Sequence, residues 1–458
     1  MSLYQTLYKD CLAYIDSYWD KIILKPEKKK INRHIIDIPH NFVVPNDKKF
    51  RFIFYWDTFF IFRGLVGTRH EWLIKEMVEN FLYLYNRYHF IPNFNAPASM
   101  GRSQPPFLTS MILDAYDVLS RNPPLEIKLK NAVSNILNQK SAEKIWLENA
   151  IEIAIREYSN VWIDRQNVYH HSVENYNLSR YGDRDLGYSH SSELESGWDF
   201  TSRFYNRCDE FLPIDLNIYL YKYEKHFAKA HRILGKDDLA KDWEKKARIR
   251  QKQIQKLMWN EKTGFFYDYN YVTKRQSNFL SLAGFTPLWT GLASFKQAKR
   301  MVKMLPFFET EHGLTITDKG SLAPQIDLSK VPLRYRLAIN SILKPKQWDY
   351  PNIWPPLEYL TVIGLLRYGF TKDATRIMEK SIKTQAKIFR KNHTFFEKMD
   401  GITGDQPKDY HYPNQKGFGW TNAIFYRYIK LLEELKSGKE IYKTPHPKEP
   451  PYEFNIFH

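Results

Sequence analysis

Apolar side chains recur at helical spacing in several separate stretches of this 458-residue chain, whereas strand patterns are few and short. Leu73, Met77, Phe81 and Leu84 share one helix face. Leu239, Trp243, Ala247, Arg250, Ile254 and Leu257 share another, with Asp237 or Asp238 placed to cap that helix. A third helix is predicted from Ile214 to Leu234, opened after Pro213 and closed at Gly235. A fourth, over 373–391, turns Ala374, Ile377, Met378, Ile382 and Phe389 inward. The clearest strand signal is a small hairpin over Trp259–Asp268 around a Gly turn. No alternation of strand and helix appears, and no Gly-rich phosphate loop, so the reading is all-α. No long linker divides the chain. We therefore expect one helical domain over residues 1–436 and a Pro/Lys-rich tail over 437–458.

Composition narrows the function. The apolar fraction of 43% supports a sizeable core and excludes disorder for most of the chain. Cys11 and Cys208 are too few for a disulfide framework or a four-thiolate metal site. The net charge of +17 is spread along the chain, densest at Lys28–Lys30 and Lys48–Lys49, and reads as a solubility feature. No nucleic-acid motif accompanies it. His170-His171 is not followed by metal-ligand spacing, and neither metal nor cofactor is expected. The N-terminus lacks a basic stretch leading into an apolar one. The longest uncharged run, Gln276 to Phe295, is broken by Pro287 and polar groups, so no membrane span is expected and a cytoplasmic protein is. The unusual number is the aromatic content, with 31 Tyr, 30 Phe and 12 Trp. Flat amphipathic rings suit sugar faces as well as cores.

Five loop segments concentrate those rings beside acids, amides and arginines. The first is Phe50–Phe60, with Arg51 and Asp57 among large aromatics; an aromatic core helix with one satisfied Asp would look the same. The second joins Asn93 and Asn95 to Arg102 and Gln104 on a Pro-fixed loop, a set of planar donors and acceptors suited to vicinal diols. In the third, Glu195 to Arg203, Glu195 and Asp199 are four apart and would project from one helical face. A carboxyl held there beside Trp198 and Phe200 would be desolvated and its pKa raised, as a general acid requires; a simple capping carboxylate is the plainer alternative. The fourth, Gln347 to Leu357, repeats the Trp-Asp pairing at Trp348-Asp349. The fifth is Gly417 to Asn422, preceded by Glu397, Asp400, Asp405, Asp409 and His411.

Together these segments resemble the trehalase family of inverting glycoside hydrolases, in family order and over about residues 45 to 430. Phe54 to Phe60 is similar to the family's Tyr-Tyr-Trp-Asp-Ser-Tyr-Phe. Pro92 to Asn95 with Gly101 to Pro106, Glu195 to Arg203, Gln347 to Trp354 and Gly417 to Asn422 match the other signatures. The resemblance implies an (α/α)6 barrel with its site in the loops at one end. It also implies hydrolysis of α,α-trehalose, a small neutral disaccharide, with Asp199 as general acid. It places the second carboxylate nine residues before Trp420, where His411 stands. Asp409, Asp405 and His411 itself are therefore the candidate bases, and Glu397 is read as a substrate or orienting contact. The implied sugar contacts are Arg51, Trp56, Asp57, Asn93, Arg102, Gln104, Arg184, Trp348, Asp349, Glu397 and Trp420. Two alternatives stay open: hydrolysis of another α-glucoside such as a glycosyl-glycerate, and sugar binding without turnover.

Overall fold

The computed structural model describes residues 3–26, 34–136, 139–166, 170–182, 189–322, 345–407 and 412–438. Among the described residues, twelve of the helices build the body of the molecule. They are α1 (Lys9–Ile22), α2 (Tyr55–Leu65), α3 (Leu73–Tyr88), α4 (Leu108–Arg121), α5 (Ala142–Glu157) and α6 (Ile214–Ile233). The second half contributes α7 (Asp237–Met258), α8 (Thr286–Thr290), α9 (Phe295–Val302), α10 (Pro355–Arg367), α11 (Thr371–Asn392) and α12 (Gly419–Lys436).

The even-numbered helices close a ring: α2 packs on α4, then α4 on α6, α6 on α8, α8 on α10, α10 on α12, and α12 back on α2. The odd-numbered helices back this ring, with α3 against α2 and α4, α5 against α4 and α6, α7 against α6, and α11 between α10 and α12. This is the (α/α)6 barrel. Burial follows from position. Every residue of α2 and of α10 is buried, as expected of helices apolar all round, whereas α7 and α11 bury one stripe each. Ring closure is tight enough that a Cβ on Gly64 would come within 2.6 Å of Ala423 Cα.

The helical pattern reads through with small shifts. Leu73, Met77, Phe81 and Leu84 are all buried on α3, and Ala374, Ile377, Met378, Ile382 and Phe389 on α11. Helix α6 follows Pro213 and ends before Gly235, whose φ of 74° suits a glycine. The inward face of α7 begins at Ala240 rather than Leu239, which is 45% exposed, and Lys236 is the N-cap. Asp237 and Asp238 instead occupy the first turn, where their charge complements the helix dipole. The hairpin forms, pairing Trp259–Asn260 with Phe265–Phe266 around Gly264. Both cysteines are free and buried. No helix among the described residues is long and apolar enough to cross a membrane. Residues 439–458 of the Pro/Lys-rich tail lie outside the described residues.

Candidate active site

The ring brings the starts of several inner helices to one cavity. Phe54, Trp354 and Phe418 are the N-cap residues of α2, α10 and α12, and all three line it. Trp56 and Asp57 come from the first turn of α2, and Trp420 from the first turn of α12. Gln104 reaches in from the loop before α4, and Asp199 from the long loop before α6. Helix N-termini carry partial positive charge, which favours the acidic and hydroxyl oxygens collected there.

The walls are aromatic. Trp348 and Trp354 stack with ring centroids 3.7 Å apart and planes 10° from parallel. Trp56 lies between Trp348 and Trp420, at 5.9 and 6.2 Å. Trp198 braces Trp348 from behind at 5.6 Å. Such a wall offers ring faces to the apolar side of a sugar.

Three carboxylates share the cavity: Asp57, Asp199 and Glu397. Burial pushes the Asp199 pKa up to about 7, against the opposing pull of the Arg102 guanidinium and helped by Glu193 and Glu397. Burial likewise lifts Asp57 well above the usual carboxylate range, reinforced by the charge of Glu397. Glu397, also buried, is held by two donors. Lys398 Nζ donates to its Oε2 at 2.8 Å, and the Tyr412 hydroxyl donates to its Oε1 at 2.9 Å. One of the two is charged, and together they fix the direction in which the carboxylate points. Tyr412 responds by becoming harder to ionise, through burial and the neighbouring Glu397 charge.

Glu195 and Asp199 are not on one helical face. The helix Ser189–Glu195 ends between them, and Gly197 and Phe200 adopt left-handed φ values of 75° and 63°. A Cβ on Gly197 would meet the Trp56 ring at 2.8 Å, so this turn needs a glycine on both counts. Glu195 instead bonds away from the cavity. Its buried carboxylate accepts from the backbone N–H groups of Ser103 at 2.9 Å and Gly182 at 2.7 Å, and pairs with His171 Nε2 at 2.8 Å. It thereby fixes the Arg102–Gln104 loop against the segment carrying Asp199.

Several expected sugar contacts have this supporting kind of role. Asn93 donates to the Ser103 carbonyl oxygen, and Asn95 exchanges bonds with Ile53 and Ile36 backbone groups. Asp349 accepts from Ser202 N–H and Oγ–H at 2.8 and 2.7 Å and from Lys346 N–H, pinning the Asp199 loop from the far side. Arg203, last in the same motif, is a buried clamp rather than a sugar ligand, forked between Asp215 and Asp268. Arg51 lies exposed at the surface and donates to the Asp47 carbonyl oxygen. Asp405 does not reach the cavity: its carboxylate is paired with Lys391, whose ammonium holds its pKa below the ordinary value. Arg184, Asp409 and His411 lie outside the described residues.

The residue whose part the sequence understated is Glu397. Its place is set by pairings far apart in the chain: Met399–Asp400 with Asn352–Ile353, and Glu397 N–H with the Gln415 carbonyl oxygen. These bring it to the cavity beside the Tyr412 hydroxyl, a juxtaposition no local spacing announces.

Comparison with known proteins agrees with the motifs. The trehalase family model matches residues 4–194 and 186–434. The cytosolic neutral trehalase of Kluyveromyces lactis is 31% identical over 86% of this chain, which spans only 57% of that relative's length. The structure of neutral trehalase Nth1 from Saccharomyces cerevisiae superposes with a TM-score of 0.70 at 25% identity, covering 93% of this chain and 82% of that one. A GH63 mannosylglycerate hydrolase from Thermus thermophilus, in complex with glucose, shares the fold at a TM-score of 0.59 and 15% identity, over 84% of this chain and 95% of that one. With its motifs, its ring of helices and a family match over most of its length, this chain belongs to the trehalase family.

Proposed function

We propose that the protein hydrolyses α,α-trehalose with inversion, Asp199 acting as general acid and Glu397 as general base. The observation carrying this is the contrast between two carboxyls in one cavity. Burial raises the Asp199 pKa to about 7, as a proton donor needs, while Glu397 accepts hydrogen bonds from Lys398 and Tyr412 and is oriented by them. A carboxyl with a raised pKa beside a second, firmly oriented carboxylate fits an acid–base pair.

In this scheme one glucose ring rests against the Trp56, Trp348 and Trp420 wall. Asp57 and Gln104 take its hydroxyls. The Asp199 O–H protonates the bridging oxygen as the C1–O bond breaks. A water on the opposite face attacks C1 and gives its proton to Glu397, whose oxygens retain free lone pairs beside the two donors. One molecule of α-glucose and one of β-glucose leave. Asp199 ends ionised and Glu397 protonated, and exchange with solvent restores both.

The test follows the initial products by proton NMR before mutarotation and compares two variants. Asp199→Asn should abolish trehalose hydrolysis yet keep cleavage of α-glucosyl fluoride, whose leaving group needs no proton. Glu397→Gln should lose both, by about 10²- to 10⁴-fold. Retained turnover in Glu397→Gln, with loss on replacing Asp409 or His411, would move the base to one of those two residues.

A further inference from the structure

A second cavity, of about 290 Å³, opens on the flank of the barrel, well apart in sequence from the residues lining the first. Its walls are the Tyr158–Trp162 turn at the end of α5, the hairpin pairing Ser172–Val173 with Leu178–Ser179, and one face each of α6 and α7. Its size suits a small metabolite.

The floor is charged and buried. Glu224 Oε1 accepts from the Tyr158 hydroxyl at 2.5 Å and from Arg250 Nε at 2.8 Å. Glu224 Oε2 is buried as well and accepts no hydrogen bond among the described residues. A buried carboxylate oxygen without a donor is costly, and a ligand hydroxyl is the kind of group that would complete it. The Arg250 charge is already met by Glu224, so the floor as a whole is close to neutral.

The mouth differs. Arg165 and Lys246 both line the cavity and are exposed, and neither has an acidic partner among the described residues. Lys246 is held over the Trp243 ring at 4.0 Å, which restrains its ammonium near the opening. The same lining includes Ile163 and Ile249, the latter 45% exposed. The cavity therefore offers a ligand two cations, apolar side chains and a hydrogen-bond acceptor. A bare inorganic anion matches only the first of these, and a neutral sugar only the last two.

We infer that this flank cavity binds a phosphorylated monosaccharide, its phosphate between Arg165 and Lys246 and a hydroxyl donating to Glu224. Guanidinium and ammonium groups are the usual phosphate partners, and the apolar side chains of Ile163 and Ile249 suit the C–H face of a sugar ring. No covalent step is involved. The site stands independently of the trehalose reading, because it shares no lining residue with the first cavity.

Calorimetric titration of the full chain with glucose 6-phosphate, glucose and inorganic phosphate tests this. The expected result is one glucose 6-phosphate per chain, bound at least tenfold more tightly than either glucose or phosphate. Arg165→Ala combined with Lys246→Ala should weaken that binding at least tenfold while leaving ligand-free trehalose hydrolysis unchanged. Equal affinity for inorganic phosphate, binding unaffected by the double substitution, or no binding at millimolar concentration would each overturn it.

Discussion

The side-chain amide of Gln347 donates to the backbone carbonyl oxygen of Asp199 at 3.0 Å, tying the proposed acid's own peptide to the loop that carries Trp348. The Trp348 N–H does the same for Phe200, at 3.2 Å. Asp199 is thus held by a neighbouring loop rather than by a helix of its own. Gln347→Ala should lower kcat on trehalose by roughly tenfold with little change in KM. A misplaced acid loses transition-state stabilisation and not ground-state binding, and steady-state kinetics separates the two.

The pH profile should report Asp199 directly. The acid must carry its proton, and burial sets its pKa at about 7, so kcat/KM should fall as pH rises through that value. Arg102 pulls this pKa down, so Arg102→Gln should move the alkaline limb upward, whatever it also does to the rate. A limb that stays in place would remove Arg102 from the acid's surroundings.

The same group makes stability depend on pH. Folding raises the Asp199 pKa from 3.8 to about 7, so across that interval the native state holds a proton that the unfolded chain releases. Its contribution is fully present below the unfolded value and is lost as pH rises through the folded one. Asp199→Asn should therefore raise Tm in mildly alkaline buffer and change it little in acid, as thermal melts at the two extremes would read.

Gly197→Ala combines two faults, a left-handed φ that disfavours a side chain and a methyl directed at Trp56. It should reduce activity at least tenfold and alter the tryptophan fluorescence of the folded protein. Wild-type-like activity would mean that the turn is looser than its geometry implies.

Arg203→Ala would leave Asp215 and Asp268 as buried, uncompensated charges. Breaking a buried network in this way costs about 3–5 kcal/mol, so chemical denaturation should reveal a large loss of stability or failure to fold. A mild effect would mean that other groups compensate Asp215 and Asp268.

Much of this site can be read from the chain, because its parts are rare residue types in fixed order. Trp56, Asp57, Gln104, Asp199, Trp348, Glu397 and Trp420 all line the cavity. What spacing could not decide is the direction in which a short polar side chain points. Asn93 and Asp349 look as capable of holding a hydroxyl as Gln104 does. Both are taken up by nearby backbone groups, because loops without regular structure must satisfy their N–H and C=O groups locally. Asp405 and Glu397 differ by only a few positions, yet one faces Lys391 at the surface and the other the cavity. Antiparallel pairing of Met399–Asp400 with Asn352–Ile353 separates them, a long-range contact with no local signature. Periodicity announces only helices, and the barrel enters through the family resemblance; that its first inner helix meets its last is a property of the ring.

That meeting has a consequence for biosynthesis. Helix α2, which supplies Trp56 and Asp57, rests on α12, which is made some 350 residues later and places Trp420 opposite. On the ribosome, a chain that has emerged only as far as α11 carries an incomplete aromatic wall and an uncovered apolar flank on α2. Such a nascent chain is attractive to chaperones until α12 clears the exit tunnel.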